Sequence, residues 1–96
     1  MSLTGVFLRD DEKGCVSSNL FFMCINRLDL NDKIYHIPSR VKVSHEELTY
    51  YVDHLLDKLK SVSRNTPEEA EAFNYVTMVA NVLKSWADGG HGVTVV

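Results

Sequence analysis

Two stretches in the second half of the chain decide the fold: SHEELTYYVDHLLDKLKSV at residues 44–62 and TPEEAEAFNYVTMVANVLKSWADGG at residues 66–90. In the first stretch the apolar residues recur at the three- and four-residue spacing that places them on one face of a helix. They are Leu48, Val52, Leu55, Leu56, Leu59 and Val62. Ser44 and Glu47 form the capping-box pattern, which satisfies free amides at the start of a helix. The sequence therefore predicts a first helix over residues 45–62.

The second stretch predicts another helix over residues 67–88. It begins with Thr66, a residue suited to the N-cap, and Pro67 at the first helical position. Two acidic residues follow in the first turn, where the helix dipole favours negative charge. Gly89 comes directly after the apolar pattern ends, as expected of a helix terminus. Because only about four residues join the two helices, we expect an antiparallel helical hairpin.

The first 43 residues are typical of strands and turns. Residues 3–8 form a short apolar run, and residues 33–37 and 40–43 are extended in pattern on either side of Pro38. Residues 19–28 are so dense in apolar side chains that a buried strand and a buried helical turn both remain open. We expect these segments to form a meander of three antiparallel strands.

The C-terminal residues 89–96 leave two alternatives. Their three glycines favour a loose tail, whereas the valines that follow favour a fourth strand at the sheet edge. Residues 1–96 are therefore predicted to form one α+β domain, in which a small antiparallel sheet packs on the two-helix hairpin. Residues 1–43 are its strand-rich half and residues 44–88 are the hairpin.

Composition excludes several classes of protein. With 96 residues, 45% hydrophobic and 24% charged, the chain can build one thin core and is too apolar to be disordered. A net charge of −3 argues against broad attraction to nucleic acid, and no apolar run approaches the ~20 residues that span a membrane. The N-terminus lacks the pattern of a secretory signal. Cys15 and Cys24 form neither a zinc motif nor a disulfide framework, so we expect a cytoplasmic protein without a membrane partner.

His54 is the strongest candidate for a chemical role. On a helix it shares one polar stripe with Glu47, Tyr50 and Asp57. A histidine beside a carboxylate can transfer protons or bind a metal, but one helix face offers fewer ligands than catalytic zinc requires. A solvated helix face has the same composition. We therefore expect no catalytic residue, metal or cofactor, and a small-ligand or enzymatic site near His54 is the alternative function.

A modest basic group in the first half gives a third hypothesis. It consists of Arg27, Lys33, Arg40 and Lys42, with Phe22 and Tyr35 as stacking aromatics. Sheets that bind single-stranded nucleic acid use this mixture of residues. Alternating charges on an exposed strand explain it equally well, and the helical half of the chain is acidic. Nucleic acid is therefore the least favoured partner.

The second helix carries more apolar surface than a surface helix needs. Its apolar residues form two adjacent rows that cover more than the ~100° of circumference such a helix requires. One row is Phe73, Val76, Ala80, Leu83 and Ala87, and the other is Ala72, Tyr75, Val79, Val82 and Trp86. We predict that the second row forms a two-fold homodimer interface anchored by Tyr75 and Trp86; its alternative is the core of a monomer. The function predicted is that of a small protein–protein interaction or accessory protein that self-associates, and a further protein partner remains open.

Overall fold

The computed structural model describes residues 4–96, which form a four-stranded antiparallel sheet and three α-helices. In chain order the elements are β1 (Val6–Arg9), β2 (Cys15–Ser17), α1 (Ser18–Arg27), β3 (Lys42–Val43), α2 (His45–Leu59), α3 (Pro67–Asp88) and β4 (Val93–Val95). A short 3-10 turn, Lys33–Tyr35, lies between α1 and β3. This architecture confirms the predicted α+β class.

The helical hairpin, α2 and α3, has the caps that the sequence predicts. The Ser44 hydroxyl accepts a hydrogen bond from the Glu47 amide at 3.2 Å, and the Glu47 carboxylate accepts one from the Ser44 amide at 3.4 Å. Thr66 caps α3 by accepting from the Glu69 amide at 3.1 Å. α2 ends at Leu59, three residues before the predicted end, while α3 has the predicted bounds.

The predicted three-strand meander is wrong between β1 and β3. Ser18–Arg27 is a helix whose buried face is Ser18, Phe21, Cys24 and Ile25. Those positions have helical spacing, and Ser17 caps the helix by accepting from the Leu20 amide at 3.2 Å. The sheet instead gains β2, a strand that the sequence did not predict, which pairs with β1. Of the predicted extended segments 33–37 and 40–43, only Lys42–Val43 is a strand.

The C-terminal segment forms a strand, β4, but in the middle of the sheet rather than at its edge. The strand order is β2-β1-β4-β3, so β4 pairs with β1 on one side and β3 on the other. Gly92 permits this arrangement, because a Cβ atom there would collide with the Val43 carbonyl oxygen. The sequence predicts an edge position, because nothing in the order of the segments indicates that β4 inserts between β1 and β3.

One buried cluster joins the sheet to all three helices. Phe7 of β1 meets Phe21 of α1 edge to face, with ring centroids 5.3 Å apart. α3 packs against both α1 and α2 and contributes the longest set of buried residues: Ala72, Val76, Val79, Ala80, Leu83, Trp86 and Ala87. The Tyr51 hydroxyl of α2 donates a hydrogen bond to the buried Tyr35 carbonyl at 2.9 Å, which ties the 3-10 turn to the helical hairpin.

Candidate functional site

The polar residues predicted around His54 lie on the exposed face of α2, where Glu47 and Tyr50 line the rim of a groove described below and His54 and Asp57 do not. Glu47 is engaged in the helix cap with Ser44. The Tyr50 and His54 rings are tilted against each other with centroids 4.9 Å apart, and both side chains are exposed. Asp57, also exposed, lies 4.0 Å from Lys60. This arrangement stabilises a helix surface and does not enclose a substrate.

The predicted interface row of α3 is divided by the fold. Ala72, Val79 and Trp86 are buried within the chain, whereas Tyr75 and Val82 are half-buried at the edge of the core. The row as a whole therefore cannot present a surface to a second copy, and three of its five residues belong to the monomer core. The physical reason is the rest of the fold: α1, a third helix not predicted from the sequence, packs against α3, and Gly14 lies against Trp86.

Exposed and half-buried apolar side chains lie on α1 and α3, two helices that pack against each other, and two of them belong to that row. We call this group the α1–α3 patch and define it as Leu20, Met23, Tyr75, Met78 and Val82. Leu20 is 43% exposed, and Met23 and Met78 are each 53% exposed. Leu20 and Met23 share one face of α1, and the other three residues share one face of α3 at helical spacing. Large exposed apolar side chains grouped in this way are typical of protein-interaction surfaces.

The two helices that carry the patch run antiparallel. Cys24 of α1 lies near Glu71 of α3, while Gly14, which precedes α1 by only a few residues, lies against Trp86 near the end of α3. Burial raises the pKa of the Cys24 thiol. The positive charge of Arg27 lowers this pKa, and the negative charge of Glu71 raises it. Among residues 4–96 neither Arg27 nor Glu71 forms a salt bridge. The two helices that carry the patch thus also carry one positive and one negative side chain that form no salt bridge within the described residues.

A second apolar surface is a groove between the segment 36–43 and the first half of α2. Its volume is about 510 Å³. The residues that line it are His36, Ile37, Pro38, Val41, Val43, Glu46, Glu47, Tyr50 and Tyr51. Ile37 and Tyr51 are each 7% exposed, whereas Val41 is 46% and Tyr50 62% exposed. The groove therefore has a buried apolar base and apolar rims that are open to solvent.

The basic residues predicted to bind nucleic acid do not share a surface of the sheet. Arg27 lies on α1, Lys33 in the 3-10 turn, and only Lys42 within a strand. Tyr35 is buried, and Phe22 is half-buried and packed against other aromatic rings. Because stacking requires an open aromatic face, these side chains do not form the predicted platform.

A cluster that the sequence did not reveal joins the β1–β2 turn to the segment before β4. Asp10 accepts hydrogen bonds from His91 Nδ1 at 2.7 Å and from the Gly92 amide at 2.9 Å. Both bonds lower the pKa of the Asp10 carboxyl, the Gly92 amide most strongly. Asp11 accepts from Arg9 Nε at 2.7 Å and from the Lys13 amide at 3.0 Å, which lowers the pKa of its carboxyl to about 2.

These carboxylates and His91 are close enough to share a cation, since one ligand atom from each lies within 4.8 Å of the others. The chain already supplies donors to them, however, and the Arg9 guanidinium beside Asp11 repels a cation. We therefore interpret this group, which we call the Asp10–His91 clasp, as a contact that closes the fold. Its members lie some eighty residues apart in sequence, so no local motif could have found it.

Comparison with protein-family models, curated proteins and solved structures returned no match to this chain. Within residues 4–96, none of the helices combines the length and the apolar character needed to cross a bilayer.

Proposed function

We propose that this protein is a small protein–protein interaction protein that self-associates, and that the α1–α3 patch is the surface through which two copies meet. The observation that carries the proposal is the exposure of Leu20, Met23 and Met78 on two helices packed side by side. Contact between two patches would remove this apolar surface from water, which favours association.

Two unpaired charges on α1 and α3, the helices that carry the patch, favour a second copy as the partner. In a two-fold interface each surface meets itself in reversed orientation, so a positive and a negative group on one copy can face their opposites on the other. Arg27 and Glu71 supply one charge of each sign and are unpaired within the described residues. A patch of five side chains is small for a stable interface, and we expect a dissociation constant of roughly micromolar or weaker.

The proposal retains α3 as the helix of self-association but changes its residues. Tyr75 and Val82 remain in the surface, and Met78 replaces the buried members of the predicted row. We also propose a cytoplasmic location, because Cys15 and Cys24 are both free thiols, one exposed and one buried. The alternative, a ligand or catalytic site near His54, has less support, because His54 and Asp57 lie on an open helix face outside the groove that Glu47 and Tyr50 line.

Sedimentation over a wide range of protein concentration tests self-association. We expect the apparent mass to rise with concentration from the 10.9 kDa of one chain towards twice that value. Met78→Glu should keep the species at one chain, while the matched control Ile34→Glu, at a surface position 39% exposed, should associate like the natural sequence. A concentration-independent 10.9 kDa species, or a Met78→Glu variant that associates normally, would contradict the proposal.

A further inference from the structure

The groove between residues 36–43 and α2 is a preformed site. Two contacts and one proline fix its walls. The Tyr51 hydroxyl donates to the Tyr35 carbonyl at 2.9 Å just below the groove, and the His36 ring packs on Phe22 with centroids 4.9 Å apart. Pro38, one of the lining residues, restricts its own backbone. Because a rigid surface loses little conformational freedom on binding, such a groove is suited to recognition.

The charge of the groove has one sign. Of the described residues that line it, those with a formal charge are Glu46 and Glu47. The acidic surface continues along α2, since Asp53 and Asp57 lie on the same helix face as Glu46 and all three are exposed. Two basic residues, Arg40 and Lys42, lie next to the groove in sequence; neither is among the residues that line it, and Lys42 lines a different depression.

We propose that this groove binds a short segment of a partner protein in which apolar side chains stand next to lysine or arginine. The apolar side chains would cover Ile37, Val41 and Tyr50, and the basic ones would lie near the two glutamates. Charge complementarity of this kind mainly governs specificity and the rate of association. The proposal concerns a surface separate from the α1–α3 patch and does not depend on self-association.

Two features favour a peptide segment held by its side chains. The exposed rims, Val41 and Tyr50, leave the groove open along one side, whereas sites for small molecules usually enclose most of their ligand. The neighbouring strand β3 lies at the sheet edge, but it is only two residues long and contains Lys42. Short edge strands that carry lysine disfavour the addition of a further strand. Side-chain contacts in the groove are therefore the expected mode of binding.

Selection from a random peptide library displayed on phage tests this proposal with the full chain as bait. We expect enriched peptides to combine apolar residues with lysine or arginine. Val41→Asp should abolish their binding, whereas Ile34→Asp, at an exposed apolar position outside the groove lining, should not. The absence of enrichment, enriched peptides without basic residues, or equal binding by Val41→Asp would each overturn the proposal.

A variant without the two glutamate charges tests how much these charges contribute to peptide binding while the fold is kept. In the double variant Glu46→Gln and Glu47→Gln, the glutamine at position 47 preserves the capping box while both charges are removed. We expect an enriched peptide to bind about three- to tenfold more weakly to this variant at low salt, with a smaller dependence on salt.

Nuclear magnetic resonance of the isotope-labelled chain then locates the site. Titration with an enriched peptide should shift the amide signals of Val41, Val43 and Tyr50. Shifts confined to α1 and α3, or groove signals that change with protein concentration alone, would overturn the proposal, the second by showing that another copy of the chain occupies the groove. Sedimentation of Met78→Glu reports separately on self-association, so the two proposals can fail independently.

Discussion

At the scale of single residues, Tyr51 connects the two halves of the molecule through one buried hydrogen bond. Its side chain is 7% exposed, and its hydroxyl donates to the equally buried Tyr35 carbonyl. Burial raises the pKa of the Tyr51 hydroxyl, so the folded protein favours its neutral form. This bond positions the 3-10 turn and, through it, the base of the groove.

We predict that Tyr51→Phe lowers the free energy of unfolding by about 1–2 kcal/mol, because the Tyr35 carbonyl would stay buried without its donor. Urea denaturation measures the change. Tyr50→Phe is the matched control: Tyr50 is 62% exposed, and we expect a change of less than about 0.5 kcal/mol. Equal losses in the two variants would show that the buried bond contributes nothing.

The Asp10–His91 clasp predicts a loss of stability in acid. Arg9 and the Lys13 amide lower the pKa of Asp11 from 3.8 to about 2, so the folded state favours the carboxylate. The contribution of the Asp11 carboxylate to stability is complete above pH 3.8, the ordinary pKa of this group. It is lost as the pH falls towards about 2, the pKa in the folded state. The pKa of Asp10 is also lowered in the folded state, so protonation of Asp10 in acid likewise reduces stability.

We therefore expect Asp11→Asn to be less stable than the natural sequence at neutral pH and to lose less stability on acidification. Denaturant unfolding of both proteins between neutral and strongly acidic pH measures the difference. Asp53→Asn, at an exposed position on α2, is the control and should follow the natural sequence. Parallel pH profiles for Asp11→Asn and the natural sequence would contradict the assignment.

At the scale of elements, α3 places a fully buried residue directly beside an exposed one. Val79 is fully buried, whereas Met78, the preceding residue, is 53% exposed. The same substitution at the two positions should therefore have opposite consequences. This contrast also separates the fold of the monomer from its proposed association.

We predict that Val79→Glu unfolds the protein and that Met78→Glu leaves it folded. A charge at position 79 would be buried without a partner and should cost about 3–5 kcal/mol, a large fraction of the stability of a small domain. At position 78 the carboxylate stays in water. Circular dichroism and thermal melting distinguish the outcomes, and a folded Val79→Glu variant would show that the burial of α3 is incorrectly described.

An element could be predicted from the sequence when the residues that determine it lie close together in the chain. Both helices of the hairpin carry a cap and a regular apolar face within one stretch, so their existence and order could be predicted. In α1 the helical face was concealed, because Leu20, Met23 and Phe22 add apolar side chains on its other sides. The central position of β4 depends on pairing with β1 from the opposite end of the chain, which no local pattern encodes.

The same distinction applies to the candidate sites. The polar stripe containing His54 could be placed on the outside of α2 from helical spacing alone. The groove could not be predicted, since its base and rims come from an irregular segment and a helix that meet only in three dimensions. The residues of the predicted interface row show a related difficulty: two apolar faces of α3 are visible in the sequence, but nothing in it indicates that three of the five residues in the row are buried within the chain.

At the scale of the whole molecule, the α1–α3 patch and the groove are formed by different elements. A dimer joined through the patch would therefore carry two grooves. Two linked sites bind a ligand with two matching segments more tightly than one site does, because the second contact is intramolecular. For a ligand with two matching segments, self-association would thus strengthen binding, although each groove makes the same contacts as before.

The pairing of β1 with β4 also determines how the protein resists mechanical force. Val6 and Val96 exchange hydrogen bonds of 3.1 and 3.0 Å, and Arg9 pairs with Val93 at the far end of the two strands. A load applied at residues 4 and 96 pulls on neighbouring ends of these strands and opens their hydrogen bonds one after another, like a zipper. A load applied at residues 4 and 90 pulls along the strands in opposite directions, so several bonds must break together. In single-molecule pulling we expect a clearly lower unfolding force in the first geometry, and equal forces would show that the β1–β4 pair does not bear the load.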